Sequence, residues 1–217
     1  MTEINNSYEL LVFLKEKSLL EDEPLNWWPS NDQFDIFLGS VLTQNTKWTN
    51  VEISLKNLHE LNIRSLDDII NIDMDVFIDA IAPSGFKNQK SKRLKQICKN
   101  IIEDFGDFEN FCSTVTREWL LSQKGIGPET ADAIMCYSCL QEYMVVDSYT
   151  NRLLKSFGYD FESYDDIQTW LVYGINENYD KIIKLYGYEI SLNRVYCRFH
   201  GKIVEYMKQK ANMKIIN

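Results

Sequence analysis

The sequence has little that would place it in a membrane or outside the cell. It contains no apolar run close to the roughly 18 residues that a membrane-spanning helix needs. Its first residues, MTEINNSYELLVF, lack the basic start and the uninterrupted apolar stretch of a secretory signal peptide. We therefore expect a cytoplasmic protein that has no membrane partner.

Cysteine is too sparse and too scattered to indicate a disulfide framework. The five cysteines are an odd number, and reduced, mostly buried thiols are the usual state in a reducing compartment. Cys136 and Cys139 form a C-x-x-C pair, but the pair lies in an apolar helical stretch without a second ligand pair nearby. This context disfavours a metal or redox role.

Positive charge is in deficit overall, since the formal net charge is -9. That sum opposes a phosphate-rich partner, yet the distribution of charge matters more than the total. Residues 87–99, KNQKSKRLKQICK, carry six basic side chains and no acid, and residues 194–214 are also basic. Either run could be a solvated helix face or a phosphate-binding surface.

Strand patterns are absent, and helical periodicity dominates. Leu10, Phe13 and Leu14 form one apolar stripe, and a second runs from Phe34 to Leu42. Ser65-x-x-Asp68 and Ser163-x-x-Asp166 resemble helix starts of the capping-box type, and Gly106 is placed to end a helix. The pattern predicts an all-α fold of roughly ten helices without internal repeats.

The most informative segment is residues 117–134, REWLLSQKGIGPETADAI. An apolar helix runs into Gly125-Ile126-Gly127, and Pro128 then takes the first position of a new helix, where its missing N–H costs nothing. Exposed N–H groups at such a turn, with a helix dipole behind them, form an anion site. Taken alone, the turn could also be a plain αα-hairpin.

This segment resembles the helix-hairpin-helix of the endonuclease III superfamily of DNA glycosylases, whose turn reads L-P-G-(V/I)-G-x-x-T-A. The sequence departs from it at the proline position, which is Lys124. The resemblance implies that the N–H groups of Gly125, Gly127 and Thr130 hold a DNA phosphate, and Lys124 beside them is predicted to bind phosphate as well. It also implies a monovalent cation held by main-chain carbonyls, which would be those of Leu121, Gln123 and Ile126.

The family's second mark is an aspartate about 20 residues beyond the turn, and here it is Asp147, within Val145-Val146-Asp147-Ser148. By itself Asp147 would be interpreted as a helix N-cap. With the hairpin in front of it, the resemblance implies a catalytic carboxylate. A fixed anion stabilises the positive charge that develops on the sugar as an N-glycosidic bond breaks, and it can activate water.

One position separates two kinds of glycosylase. Family members that also nick the DNA backbone carry a lysine two residues after the second turn glycine, and that lysine attacks C1′ to form a Schiff base. This sequence has Glu129 there, and a carboxylate cannot form an imine. We therefore predict hydrolysis alone, without lyase activity.

The iron–sulfur loop of many relatives, C-x6-C-x2-C-x5-C, has no counterpart here. After Cys197 the sequence reads RFHGKIVEY, with no further cysteine, so no iron–sulfur cluster and no other cofactor is expected. We interpret His200 as a packing or hydrogen-bonding residue. Lys202 is predicted to tie this shortened region together, through a carboxylate partner or a covalent modification.

Tryptophans mark the predicted base pocket. Adjacent side chains cannot both enter one core from a regular helix, so either Trp27 or Trp28 should face a cleft. With Pro29 and Trp48 they suggest an aromatic slot, which suits positively charged alkylated purines. In the run Leu42-Thr43-Gln44-Asn45-Thr46, which resembles a family loop, Gln44 and Asn45 would intercalate into DNA.

These segments together resemble the 3-methyladenine DNA glycosylase branch that lacks the cluster. The resemblance implies a six-helix barrel at 25–140 and a second helical lobe made of 1–24 with 141–217. The implied partner is double-stranded DNA with an alkylated base, bound by a monomer, with Lys87 and Lys90 on flanking phosphates. The alternatives are a glycosylase for oxidised pyrimidines or mismatched bases, and a non-catalytic DNA-binding hairpin protein.

Overall fold

The computed structural model describes residues 3–21, 23, 27–30 and 32–216, with side chains through residue 211. Every regular element in these ranges is helical, which confirms the all-α prediction. Two compact units are present, one formed by the chain through Trp28 and from Gln141 onward, the other by Pro29–Leu140. The predicted boundary between residues 24 and 25 lies outside the described residues.

Thirteen α-helices occur in the described ranges, more than the ten predicted, because several have only six or seven residues. They are α1 (Ser7–Lys15), α2 (Gln33–Leu42), α3 (Trp48–Glu60), α4 (Leu66–Asn71), α5 (Met74–Ala80), α6 (Lys87–Phe105), α7 (Phe108–Thr114), α8 (Arg117–Ser122), α9 (Pro128–Ala133), α10 (Ser148–Ser156), α11 (Tyr164–Asn176), α12 (Tyr179–Tyr186) and α13 (Leu192–Ile216). A 3-10 turn at Ala82–Ser84 and a π turn at Ile134–Ser138 complete the set. None of the helices described here is both long and apolar enough to cross a membrane.

The unit Pro29–Leu140 is built around α2. Its residues from Ile36 to Leu42 are all buried, and the helix packs against α3, α6, α9 and the π turn. A helix that is apolar all round belongs in the centre of a core. Both ends of α2 therefore have fixed positions, and the loop that follows Leu42 starts from a rigid support.

The other unit packs α1 against α11 and α13, and α10 against α13. Ser7 Oγ donates to the Leu171 carbonyl over 2.7 Å, and Gly174 lets the start of α1 approach closely, since an added Cβ there would lie 2.3 Å from Ser7 Oγ. The long helix α13 thus lies beside the helix that begins after Asp147.

The predicted helix ends are confirmed. Ser65 and Ser163 cap α4 and α11 by accepting from Asp68 N–H and Asp166 N–H, and Gly106 ends α6 with a φ of 85°. Short sequence patterns therefore predicted these helix boundaries correctly.

Candidate active site

The hairpin turn joins α8 to α9 with two of its N–H groups unused by the backbone. Ile126 is buried and its N–H donates to the Gln123 carbonyl over 3.1 Å, which closes the turn. Within the described part of the chain, the N–H groups of Gly125 and Gly127 donate to no backbone carbonyl. Both are available to an anion at the surface.

The two turn glycines have different reasons to be glycine. Gly125 has a φ of 87°, and a Cβ there would lie 2.4 Å from Arg93 Nε. Gly127 has an ordinary extended conformation, and no heavy atom lies within 4 Å of an added Cβ. The backbone conformation and the position of Arg93 therefore require glycine at 125. At 127 neither requires glycine, and an added Cβ would obstruct only a molecule that approaches the turn from outside.

A buried ion pair fixes the two hairpin helices to each other. Arg117 begins α8 and Asp132 is fully buried in α9, and Nε of Arg117 donates to Asp132 Oδ1 over 2.7 Å. A second bond of 3.3 Å joins Arg117 Nη2 to Asp132 Oδ2, so the pair is bidentate. This pair was not predicted from the sequence, although the lone acid inside the apolar run ADAI was an available signal.

Gln44 lies on the hairpin itself. Its side-chain amide donates to the Gly125 carbonyl and to Thr130 Oγ1, both over 3.0 Å. Asn45 is exposed at the tip of the same loop, with a φ of 55° in the left-handed region. The two predicted intercalating residues thus have different environments, one bonded to the hairpin and one open to solvent.

Lys90 does not lie where a phosphate could reach it, and that prediction is wrong. Its side chain is 2% exposed, and Nζ donates over 2.7 Å to both the Leu42 and the Ser84 carbonyls. Desolvation, helped by the nearby charge of Arg93, lowers the pKa of Lys90 to about 8. The periodicity of α6 turns this lysine inward, where it ties the loop after α2 to the turn before α6.

Lys87 and Lys124 remain at the surface. Lys87 Nζ lies 3.5 Å from Asp79 Oδ1 in an exposed pair, which is weak in water. Lys124 is exposed beside Gly125. Both stay available as predicted phosphate ligands.

Asp147 is the N-cap of α10 in the second unit. Its Oδ1 accepts from Thr150 N–H over 2.8 Å and from the Thr150 hydroxyl over 2.9 Å, which makes a capping box. The cap interpretation is therefore confirmed. The other oxygen, Oδ2, lies 3.5 Å from His200 Nε2.

The environment keeps Asp147 ionised. Burial alone would raise the pKa of its carboxyl, but the hydrogen bond and charge of His200, together with the two bonds from Thr150, more than offset this effect. The net result is a pKa below the ordinary value of aspartate. A buried carboxylate is thus held charged by neighbours on two helices, α10 and α13.

His200 connects Asp147 to an aromatic side chain of the same unit. The Trp27 ring stands edge-on to the His200 ring at a centroid distance of 5.4 Å, and an added Cβ at Gly201 would lie 2.6 Å from Trp27 ring atoms. Trp27 is half-buried, with a φ of 59°. His200 was predicted from the sequence to pack or to form a hydrogen bond, and in the structure its charged neighbour is Asp147, with Nε2 and Oδ2 3.5 Å apart.

The other predicted pocket residues divide between core and surface. Trp28 is 7% exposed and belongs to the core, Pro29 is exposed, and Trp48 is half-buried at the start of α3. Of the adjacent tryptophans, Trp27 is the one that stays partly accessible.

Two cations of α13 bind main-chain carbonyls of residues that follow α1. Lys202 is 2% exposed and donates to the Leu19 carbonyl, while Arg198, one turn earlier, donates to the carbonyls of Leu20 and Glu23. Burial lowers the pKa of Lys202 to about 8. The hydrogen-bond partner of Lys202 is thus a carbonyl and not a carboxylate, and a covalent modification of Lys202 stays a prediction.

Comparison with known proteins gives consistent matches. Residues 38–169 match the model of the HhH-GPD superfamily of base excision DNA repair proteins. A Methanocaldococcus jannaschii protein inferred to be a DNA repair glycosylase is 35% identical over 199 residues, which cover 88% of this chain and 84% of that protein.

Solved structures are similar as well. H. pylori 3-methyladenine DNA glycosylase bound to 1,N6-ethenoadenine has 48% identity and a TM-score of 0.92, over 95% of this chain and 99% of that one. An endonuclease III–DNA complex has 16% identity and a TM-score of 0.71, over 93% of this chain and 85% of that one. The second likeness concerns the fold alone.

Proposed function

Because the chain belongs to the HhH-GPD superfamily of base excision DNA repair proteins, we propose that it is a monofunctional DNA glycosylase that removes alkylated purines, chiefly 3-methyladenine, from duplex DNA. It would act as a monomer on a base flipped out of the duplex, since a stacked base shields its glycosidic bond.

The fixed position of the buried Asp147 carboxylate is the observation that carries this proposal. Loss of the base leaves positive charge on the sugar, and a preorganised carboxylate stabilises that charge and orients water. Asp147 has one oxygen fixed by Thr150 and the other beside His200, so it does not need to reorganise during the reaction. Its lowered pKa keeps the charge in place at neutral pH.

The substrate proposal rests on aromatic side chains and on one relative. Alkylated purines such as 3-methyladenine carry ring charge, which aromatic faces attract, and Trp27 is partly accessible in the same unit as Asp147. Pro29 and Trp48 stay predicted pocket residues, whereas Trp28 is buried. The similar H. pylori enzyme is a 3-methyladenine glycosylase bound to a modified adenine.

The hairpin would bind the DNA backbone. The N–H groups of Gly125, Gly127 and Thr130 would hold a phosphate, with Lys124 and Lys87 nearby as surface charges. Gln44 and Asn45 would enter the space left by the flipped base. A monovalent cation on the carbonyls of Leu121, Gln123 and Ile126 is compatible with the turn, since the Gln123 carbonyl bonded to Ile126 N–H retains a second lone pair.

We propose that no iron–sulfur cluster is present and that, apart from the monovalent cation proposed at the hairpin, no metal ion takes part. Hydrolysis assisted by a carboxylate requires none, and the described residues contain no group of three or more His, Cys, Asp or Glu arranged for a metal. Metal analysis of the purified protein tests this point.

The decisive experiment is incubation of the protein with methylated duplex DNA, followed by chromatography of the released bases. We expect 3-methyladenine as the main product. Asp147→Asn keeps the size and capping ability of the side chain and removes the charge, so release should fall about 10²-fold or more while DNA binding is largely kept.

A panel of duplexes carrying oxidised pyrimidines or mismatched bases serves as the comparison. Release of those bases in place of alkylated purines would contradict the substrate proposal. Binding without release of any base, unaffected by Asp147→Asn, would identify a non-catalytic hairpin protein.

A further inference from the structure

A basic pocket adjoins the hairpin on the side of α6. It has a volume of about 410 Å³, within the range of ligand sites. Three cations and three amides supply its polar lining, and apolar side chains supply the remainder. The polar residues are Gln89, Lys92, Arg93, Gln96, Gln123 and Lys124.

The charges of this pocket are not neutralised within the protein. None of its lining residues is acidic, and in the described part of the chain Lys92, Arg93 and Lys124 have no salt-bridge partner. This contrasts with the other hairpin cation, Arg117, which is paired with Asp132. Three unpaired cations around one concave surface favour an anionic ligand.

Arg93 has a fixed position in the pocket. It is half-buried, and its Nε lies 2.4 Å from the position that a Cβ on Gly125 would take, so the guanidinium rests against the hairpin turn. A planar guanidinium binds phosphate oxygens in a bidentate manner. The glycine at 125 therefore permits both the turn and the close approach of this cation.

Hydrogen bonds hold the two walls of the pocket together. Gln96 Nε2 donates to Asn100 Oδ1 over 2.8 Å, and Asn100 Nδ2 donates to Gln123 Oε1 over 2.6 Å. Gln123 in turn donates to the Trp119 carbonyl over 3.2 Å. This chain joins α6 to the end of α8, so the pocket is preorganised instead of being formed by mobile side chains.

We propose that this pocket is a second phosphate-binding site, with Arg93 at its centre, for the DNA strand whose adjacent phosphate is held by the hairpin. The inference rests on the proposed function, because it takes duplex DNA as the ligand. Its contribution is binding and registration of the backbone, and it carries no base specificity.

The test is a titration of an undamaged fluorescent duplex by anisotropy at several salt concentrations. Each phosphate contact contributes about 0.9 to the slope of log K against log salt. Arg93→Gln and Lys92→Gln should each reduce the magnitude of that slope by about 0.9. Arg93→Lys should keep the slope but lower the affinity, because the planar fork is lost.

The matched control is Lys99→Gln, which removes the same charge from an exposed position of α6 outside the pocket. Its slope should equal that of the wild type, and thermal melting checks that each variant is folded. Lys92 is exposed, so its variant stays informative if Arg93→Gln is unstable.

Equal slopes for all variants, or an equal reduction of the slope in Lys99→Gln, would contradict the proposal that this pocket binds phosphate. Base release is not part of this measurement. If the slopes change but no base is released, the phosphate site is supported and the proposed function is contradicted. If bases are released but the slopes do not change, the proposed function is supported and the phosphate site is contradicted.

Discussion

At the scale of single residues, Asp147 combines a structural bond with a charged oxygen. Oδ1 caps α10 through Thr150, and Oδ2 faces His200. The cap restrains the rotation of the side chain, so the second oxygen is held in a defined direction. His200 then becomes the residue that decides how strongly the carboxyl holds a proton.

Replacement of His200 by glutamine should raise the pKa of Asp147. Burial raises this pKa, and His200 supplies the largest opposing effects through its hydrogen bond and its charge. Glutamine retains a donor but loses the charge. The carboxyl 13C signal of Asp147, assigned by its loss in Asp147→Asn, should titrate at higher pH in His200→Gln than in the wild type.

The linked change in stability has a definite sign. A carboxyl whose pKa is depressed by folding stabilises the protein above its unfolded pKa, and this contribution is lost as the pH falls through the folded pKa. In His200→Gln this contribution should therefore be smaller, and its loss should be complete at a higher pH than in the wild type. An unchanged Asp147 titration would show that His200 does not control this carboxyl.

The two hairpin glycines should respond in opposite ways to alanine. Gly127→Ala should fold normally, because nothing lies near the added Cβ, but the methyl group would obstruct a phosphate, so DNA affinity should fall. Gly125→Ala places the Cβ against Arg93 at a φ of 87°, and we expect a loss of stability of about 1 kcal/mol or more.

Thermal melting and duplex binding measured on both variants test this pair. Normal DNA affinity in a well-folded Gly127→Ala protein would mean that no phosphate approaches the turn.

Individual residues also show what the sequence could supply. The caps of α4, α10 and α11 depend on neighbours three residues away, so short patterns predicted them. The pairing of Asp147 with His200 spans 53 positions, and that of Arg117 with Asp132 requires the hairpin to be closed. Long-range partners of this kind follow from packing, which no local pattern contains.

At the scale of elements, the buried ammonium of Lys90 joins two loops. Leu42 ends α2 two residues before Gln44, and Ser84 belongs to the turn that precedes α6. Both carbonyls accept from the same Nζ. The basic run 87–99 suggested only surface charge, because a count of lysines does not show which face of a helix is covered.

Lys90→Met should loosen the loop of Gln44 and Asn45 without removing a phosphate contact. Two buried carbonyls lose their donor, at about 1–3 kcal/mol each, offset by the removal of a desolvated charge. We expect faster amide exchange at residues 43–46 and about 10-fold slower base release, since small misplacements slow catalysis strongly.

The salt dependence of DNA binding distinguishes Lys90 from a phosphate ligand. Its slope should be unchanged in Lys90→Met and reduced in Lys87→Met, the comparison variant at the surface. A reduced slope in Lys90→Met would mean that Lys90 contacts a DNA phosphate.

At the scale of the whole molecule, the net charge of -9 is compatible with a DNA partner because charge is unevenly distributed. The basic pocket lies in the unit Pro29–Leu140, beside the hairpin. Composition alone opposed DNA binding, and only the placement of Lys92, Arg93 and Lys124 around one concave surface resolves the conflict.

The protein should form no borohydride-trapped adduct with abasic or methylated duplex DNA. Glu129 occupies the second position of α9, and a carboxylate cannot form the imine that borohydride reduces. Gel electrophoresis after reduction measures the adduct, with a lysine-dependent relative such as endonuclease III as the positive control. A strong adduct would mean that another lysine reaches C1′.

The bonds of Gln44 have a consequence for how the protein would search a genome. A protein held by phosphates alone slides along intact DNA, and testing every base pair by insertion would slow it. If Gln44 inserts, it must first leave the Gly125 carbonyl and the Thr130 hydroxyl, at roughly 1–3 kcal/mol for two bonds. Insertion would therefore be favourable only at base pairs that open readily, so the protein would slide past intact base pairs and insert Gln44 at weakened ones.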